Sequence, residues 1–300
     1  VRASCLDIGL KFPEQTPMRI DRKIFLRGLC ALALLLTLLP ASLSATWSII
    51  AVDARTGRVV IASATCVPQG RFAGFPAKGL MDVQAIVVPG VGVAAAQAGV
   101  DNTRQNQMLI YQQLQAGQTP ADIIEALRQD PNIDRRQFGI VDLQGQYAGF
   151  SGRSNGDASL DIQGQVPGSE IYYSIQGNIL ASDDVVWSAV DAFVDAGPSL
   201  ADRVMAAMEA ADRAGGDSRC SCDDEPVLEG VPCDAKTAHV AYILEALKED
   251  ATGESFNDGE YHMYISATDE DIEPHENANP VLTLRMRYDA WKRSSGANPQ

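Results

Sequence analysis

An N-terminal threonine is a self-sufficient reactive unit. Its hydroxyl can attack a carbonyl, and its own α-amine, with a pKa of about 8, can take the proton. Thr46 opens the run Thr46-Trp47-Ser48-Ile49-Ile50-Ala51-Val52-Asp53 directly after Ala45, where an export leader gives way to a β-strand pattern. Cleavage after Ala45 makes Thr46 the first residue. Cleavage after Ser44, which places small Ser42 and Ser44 at the favoured positions, leaves Ala45 first. The first outcome implies a hydrolase acting on an amide-like bond, with no metal or cofactor required.

Such a nucleophile needs neighbours and donors aimed at a developing oxyanion. Ser63, on the strand that returns beside Thr46, supplies a neighbour. Gln97 and Asn102 lie where a strand passes into a helix, whose first N–H groups attract anions. Between Ile171 and Leu180 a period of two places Ser174, Gln176 and Asn178 on one strand face. Asn178 is then a candidate oxyanion donor and Gln176 a substrate contact, although both also suit the pairing of buried backbone groups. Asp217 and Arg219, after Gly215-Gly216, suit either a loop ion pair or a clamp on a substrate carboxylate. The candidate catalytic set is therefore Thr46, Ser63 and Asn178. The candidate binding set is Gln97, Asn102, Gln176, Asp217 and Arg219, for a small-molecule or peptide-like substrate. His239, His262 and His275 have no triad spacing, and the acidic run from Asp269 to Glu276 lacks the glycine and spacing of an EF-hand, so it reads as a solvated loop.

Residues 18–45 carry the three parts of a secretory signal: Arg19, Arg22, Lys23 and Arg27, then the apolar stretch Leu29 to Leu39, then Pro40 and small residues. That stretch is too short to span a bilayer comfortably, so no membrane insertion is expected after processing. Residues 1–17 read as an upstream segment ahead of the true start at Met18. The expected location is periplasmic or extracellular. Of 24 basic and 39 acidic residues, six and three lie in the leader, leaving 18 against 36 and a net charge of −18. A surface that acidic repels phosphate backbones and anionic lipids, which argues against nucleic acid as a partner. Self-association through the C-terminal strand and helix is compatible with the sequence.

Cys5 and Cys30 precede Thr46, leaving Cys66, Cys220, Cys222 and Cys233, an even number suited to two disulfides in an oxidising compartment. One intervening residue makes a Cys220–Cys222 bond geometrically poor, so each is expected to pair with Cys66 or Cys233. The rival is a zinc site from Cys220, Cys222, Cys233 and His239, whose spacing fits no usual pattern.

The pattern predicts strands over 47–52 and 58–64 joined by a glycine-closed turn, then strands over 83–88 and 91–97. Helices follow over 102–115 and 119–129, strands over 137–142, 146–151 and 171–180, and helices over 183–195 and 200–214. A cysteine-bearing insert occupies 217–233, strands are expected over 236–246 and 260–267, and a last helix begins near Pro280 and runs over 279–292. Residues 67–82 and 152–170 read as loops. The expectation is one α+β domain over 46–293, largely antiparallel, with a disordered tail over 294–300.

Five stretches carry a resemblance. TWSIIAVDARTGRVVIASAT from Thr46, GVGVAAAQAGVDN from Gly90, FGIVDLQGQYAGFSG from Phe138, YYSIQGNIL from Tyr172 and AGGDSR from Ala214 are together similar to the bacterial family known as domain of unknown function 1028. The likeness runs from Thr46 to Arg219, with a looser one from Tyr264 to Tyr288. That family is placed in the N-terminal-nucleophile (Ntn) hydrolase-like superfamily. The resemblance implies a four-layer αββα sandwich of Ntn-hydrolase type, two antiparallel sheets flanked by helices, with a nucleophile at the start of the first strand. Where its members continue Gly-Gly-Asp with a basic residue and Arg-Gly, this chain has Ser218-Arg219-Cys220.

Overall fold

The computed structural model describes residues 46–74 and 79–296. The expected signal over 18–45, the expected upstream segment over 1–17 and residues 297–300 of the expected tail lie outside them. Alternation of side chains builds ten strands, β1 (Thr46–Asp53), β2 (Arg58–Thr65), β3 (Ala85–Val88), β4 (Gly92–Ala98), β5 (Arg136–Asp142), β6 (Tyr147–Ser151), β7 (Leu160–Gln165), β8 (Ile171–Asn178), β9 (Val240–Ala246) and β10 (Met263–Thr268). Six α-helices stand among them in the described residues: α1 (Leu80–Gln84), α2 (Gln105–Gln115), α3 (Pro120–Leu127), α4 (Asp184–Asp195), α5 (Leu200–Arg213) and α6 (Pro280–Ser295). The strands form two antiparallel sheets, a six-stranded one in the order β10-β9-β2-β1-β8-β7 and a four-stranded one in the order β3-β4-β5-β6.

The class is α+β, as expected, and β1 lies in the interior of the larger sheet. Its odd residues Trp47, Ile49 and Ala51 join an apolar cluster with α4, α5 and α6. Its even residues Ile50 and Val52 meet Val87, Val93, Ala95 and Val141 of the smaller sheet. Ile110, Leu114, Ile123 and Leu127 of α2 and α3 cover the smaller sheet's other face, against Ile86, Ala94, Phe138 and Ile140. Helices therefore flank the two stacked sheets, each burying one apolar stripe.

Several boundaries differ from the sequence reading, each for a local reason. Residues 80–84 are helical and β3 begins at Ala85, because an apolar run of this length has no period that separates helix from strand. β7 falls inside the stretch read as a loop: its half-exposed LDIQGQ carries little apolar signal and is held by pairing with β8. α2 starts at Gln105 after left-handed Arg104, β8 stops at Asn178, and β9 and β10 begin at Val240 and Met263. The last helix continues to Ser295, two residues into the expected disordered tail.

The cysteines resolve into Cys66–Cys220 and Cys222–Cys233. The zinc set of Cys220, Cys222, Cys233 and His239 is thereby overturned, since three of its four ligands are consumed in disulfides. No helix among the described residues is long and apolar enough to cross a membrane.

The end of α5 is tied to both C-terminal elements by one buried carboxylate. Asp212 accepts from the hydroxyl of Thr237, just before β9, and from Asn279 Nδ2 at 2.7 Å, while Asn279 Oδ1 caps α6 through the Val281 N–H at 3.1 Å. Burial raises the Asp212 pKa and outweighs the lowering by those two hydrogen bonds. The folded state thus holds its proton more tightly than the unfolded chain. Its stabilisation is complete below the unfolded pKa and is lost as pH rises through the folded one. Asp212→Asn should remove that decline. Denaturant midpoints compared from about pH 4 upward should show the variant gaining on the parent as pH rises. Phe193, fully buried and 5.0 Å from the Tyr173 ring, tests the packing of α4: Phe193→Ala should cost about 3–5 kcal/mol in the same measurement.

Candidate functional site

The start of β1 lies between two partners. Thr46 pairs across the sheet with Thr65 of β2 and Asn178 of β8, and the row continues from Thr65 to Val240 and on to Thr268. By the alternation that sends Ile50 and Val52 into the space between the sheets, Thr46 and Ser48 point there too. Thr46 is 2% exposed, and its hydroxyl donates to Thr65 Oγ1 at 3.2 Å.

While the far half of the inter-sheet space is apolar, this half is filled by side-chain amides and hydroxyls. Gln97, at the end of β4, has all four hydrogen-bonding positions of its amide occupied. Its Nε2 donates to the Thr46 carbonyl at 3.0 Å and to Gln137 Oε1 at 2.7 Å. Its Oε1 accepts from Ser48 Oγ and Gln84 Nε2, each at 2.7 Å. Gln84 Oε1 accepts from Tyr242 Oη at 3.1 Å, and burial holds that phenol well above the ordinary tyrosine pKa, so it stays a donor. On the other side Gln137 Nε2 reaches Ser151 Oγ at 2.7 Å and the Gly177 carbonyl at 2.8 Å. The proton order runs in one direction through the chain, and each amide is oriented by its neighbours.

Gln176 lies in the same belt, with Nε2 donating to the Ala95 carbonyl at 3.4 Å, while its buried Oε1 has no hydrogen-bond partner among the described residues. Gly139 allows this approach. A Cβ there would stand 2.6 Å from Ser174 Oγ and 2.9 Å from Gln176 Oε1.

The loop after α5 closes against the same strand end. Gly216, at a φ of +48°, leaves room for Thr237 and the Trp47 ring, whose atoms a Cβ would meet at 2.7 and 2.8 Å. Asp217 then bridges to Leu180 beyond β8 and reaches the residue that follows β2, its Oδ2 accepting the Cys66 N–H at 2.9 Å. Arg219 grips the same carboxylate with two nitrogens, Nε at 3.0 Å and a terminal nitrogen at 2.8 Å. The Asp217 side chain is fully buried and that of Arg219 is 36% exposed, so the pair is an internal tie rather than two open ligands.

Thr46, Asn178, Gln97, Gln176, Asp217 and Arg219 are therefore gathered at one end of the sheets. Ser63 is one register step inward, opposite Ser48, and its hydroxyl is spent on the Trp47 carbonyl at 2.6 Å. Asn102 is exposed on the turn before α2 and joins none of the hydrogen bonds of the belt. Thr65, Ser48, Gln84, Gln137 and Tyr242 were missed by the sequence reading. The available signal was a glutamine at an inward position of an otherwise apolar strand, present at Gln97 and again at Gln137.

The family of unknown function DUF1028 matches residues 46–223, from the first residue of β1 into the disulfide-bearing loop. This chain belongs to the DUF1028 family. Among solved structures, the crystal structure of protein SPO2555 from Silicibacter pomeroyi, itself of the DUF1028 family, superposes with a TM-score of 0.57 at 22% identity. The alignment covers 83% of this chain and 87% of that one. At that identity the likeness concerns the fold. None of the curated proteins matches the chain.

The belt makes Gln97 the most connected polar group at the site. Gln97→Met keeps the volume but strips partners from Thr46 O, Gln137, Ser48 and Gln84. At about 1–3 kcal/mol for each buried group left unsatisfied, the variant should lose at least ~3 kcal/mol. Gln112→Met on the exposed face of α2 should stay within about 0.5 kcal/mol. Urea unfolding of the two variants makes the comparison.

Proposed function

We propose that this DUF1028 protein is an exported hydrolase of the Ntn type, in which removal of the leader exposes Thr46 as nucleophile and base. Thr46 Oγ1 attacks the carbonyl of an amide-like bond. The α-amine takes its proton and returns it to the leaving nitrogen, and Asn178 with backbone N–H groups steadies the oxyanion. Water then releases the acyl group by the same route.

The observation that carries this reading is positional. The residue that cleavage would expose starts an interior strand, faces the space between the two sheets, and has Thr65 and Asn178 as its immediate partners. The family match begins at the same residue, and the flanking of two antiparallel sheets by helices suits an Ntn sandwich. A cavity of about 350 Å³ beside β9 and β10 shares Val240 and Thr268 with the cross-strand row of Thr46 and includes Tyr242 and Tyr264. Its walls do not include Thr46, Thr65 or Asn178, so it is a neighbouring space and not the pocket of the nucleophile. The two disulfides suit an oxidising compartment.

One observation favours a second reading. The Thr46 hydroxyl is buried and already hydrogen-bonded, and Asp217 and Arg219 satisfy each other. This suits a non-catalytic secreted binding module that keeps the same fold.

N-terminal sequencing and intact mass of the exported protein separate the two. A mature chain starting at Thr46 is expected, and a start at Ala45 or earlier with no further trimming sinks the mechanism. On a panel of amide and short peptide substrates, Thr46→Ala should lower kcat/KM by roughly 1,000-fold or more while Thr46→Ser retains turnover. The activity of the parent should rise with pH toward a plateau above about 8, as the amine loses its proton.

A further inference from the structure

The Cys66–Cys220 disulfide has a third donor beside it. The two sulfurs and a ring nitrogen of His239 all lie within 4.8 Å of one another. Both cysteines are partly exposed, whereas His239 is 2% exposed. The histidine is anchored through its backbone: its N–H donates to the Thr65 carbonyl at 2.7 Å, and its carbonyl accepts the Asp269 N–H at 2.9 Å. Its Nδ1 faces Asp269 Oδ2 at 3.2 Å, yet neither buried atom has a hydrogen bond within the described residues. The other oxygen of that carboxylate is fixed by the Gln69 N–H at 3.0 Å. The buried imidazole thus has the Asp269 carboxylate 3.2 Å from Nδ1 and two sulfurs within 4.8 Å of a ring nitrogen, the kind of donor set and outer carboxylate that a zinc-class cation takes.

We propose that reduction of the Cys66–Cys220 bond opens a three-ligand site for a zinc-class divalent cation, held by Cys66, Cys220 and His239. A dithiol reductant supplies two electrons and two protons. The S–S bond breaks, two thiols form, and the reductant leaves as its own disulfide. Each thiol gives up its proton as its thiolate takes the metal, and the neutral imidazole supplies the third ligand. Metal–sulfur bonds near 2.3 Å in tetrahedral geometry place the sulfurs roughly 3.8 Å apart, so donors already within the observed spread need only small rotations. Asp269 is placed as the outer carboxylate that orients a ligating histidine. Three protein ligands leave the fourth position for water or another small ligand, the coordination of reactive rather than purely structural zinc. The site shares Cys220 and His239 with the set read from sequence but takes Cys66, 154 residues from Cys220, in place of the nearer pair. It does not depend on the role of Thr46.

The test uses the full chain carrying Cys5→Ser, Cys30→Ser, Cys222→Ser and Cys233→Ser, which removes every thiol other than Cys66 and Cys220. After reduction by a phosphine and removal of the excess under nitrogen, cobalt(II) is titrated and thiolate-to-cobalt charge-transfer absorption is followed. One equivalent should bind, zinc should displace it, and the unreduced protein should show no band. Cys66→Ser or His239→Gln should weaken binding by at least about 100-fold, and Asp269→Asn by roughly 10- to 100-fold. Absence of a stoichiometric band, or a band whose affinity is unchanged by His239→Gln, overturns the proposal. If the reduced chain loses its far-UV circular dichroism, one equivalent of zinc should restore it, and failure to do so also overturns the proposal.

Discussion

The amide of Gln97 is the contact on which this end of the molecule depends. Two sheets stacked face to face normally meet through apolar side chains alone, and the far half of this interface does so. Near Thr46 the same space holds hydroxyls and amides, and each would cost free energy there if left without a partner. Gln97 removes that cost for four groups at once. It joins β1 and β5 through its donors, and Ser48 and Gln84 through its acceptors. Because every position is taken, the amide has one orientation, and the carbonyl of Thr46 is held by a side chain from the opposite sheet.

The other features of the site follow from the need to close this polar end. β2 and β8 end in register with Thr46, at Thr65 and Asn178. Past those ends the chain turns sharply. Gly215 and Gly216 bring the loop back against Trp47 and Leu180, and Asp217 is buried with the Cys66 N–H and Arg219 as its partners. The Cys66–Cys220 bond fastens the same two segments covalently. A buried carboxylate is tolerated here because its charge is matched and both oxygens accept hydrogen bonds. The nearby His239–Asp269 contact is less complete, which is what distinguishes it from the finished ties around it.

Much of the secondary structure was legible because its signals are local. The period-two runs of β1, β2, β4, β5 and β8 and the caps Thr119, Ser199 and Asn279 lie within a few residues of the elements they define. β7 was not legible, because an edge strand with a weak pattern is fixed by the neighbour it pairs with, and that neighbour is not encoded in the segment itself. α1 was missed for the complementary reason: five residues carry too little periodicity to separate a helical turn from the strand that follows.

For the site, residue types and strand faces were available from sequence: Thr46 at a strand start, Ser174, Gln176 and Asn178 on one face, and four cysteines forming two pairs. Which groups meet was decided only by the tertiary structure. Whether Gln97 reaches Thr46, whether Asp217 meets the Cys66 N–H, and which cysteine takes Cys66 all depend on separations of tens to more than a hundred residues. Such distances are set by sheet stacking and loop closure, which no local pattern encodes. Thr46 shows the division most plainly. Its chemistry as a residue type and its place at a strand end could be read along the chain, whereas its burial between two sheets, its bond to Thr65 and the restraint on its carbonyl exist only once β2, β4 and β8 have come together around it.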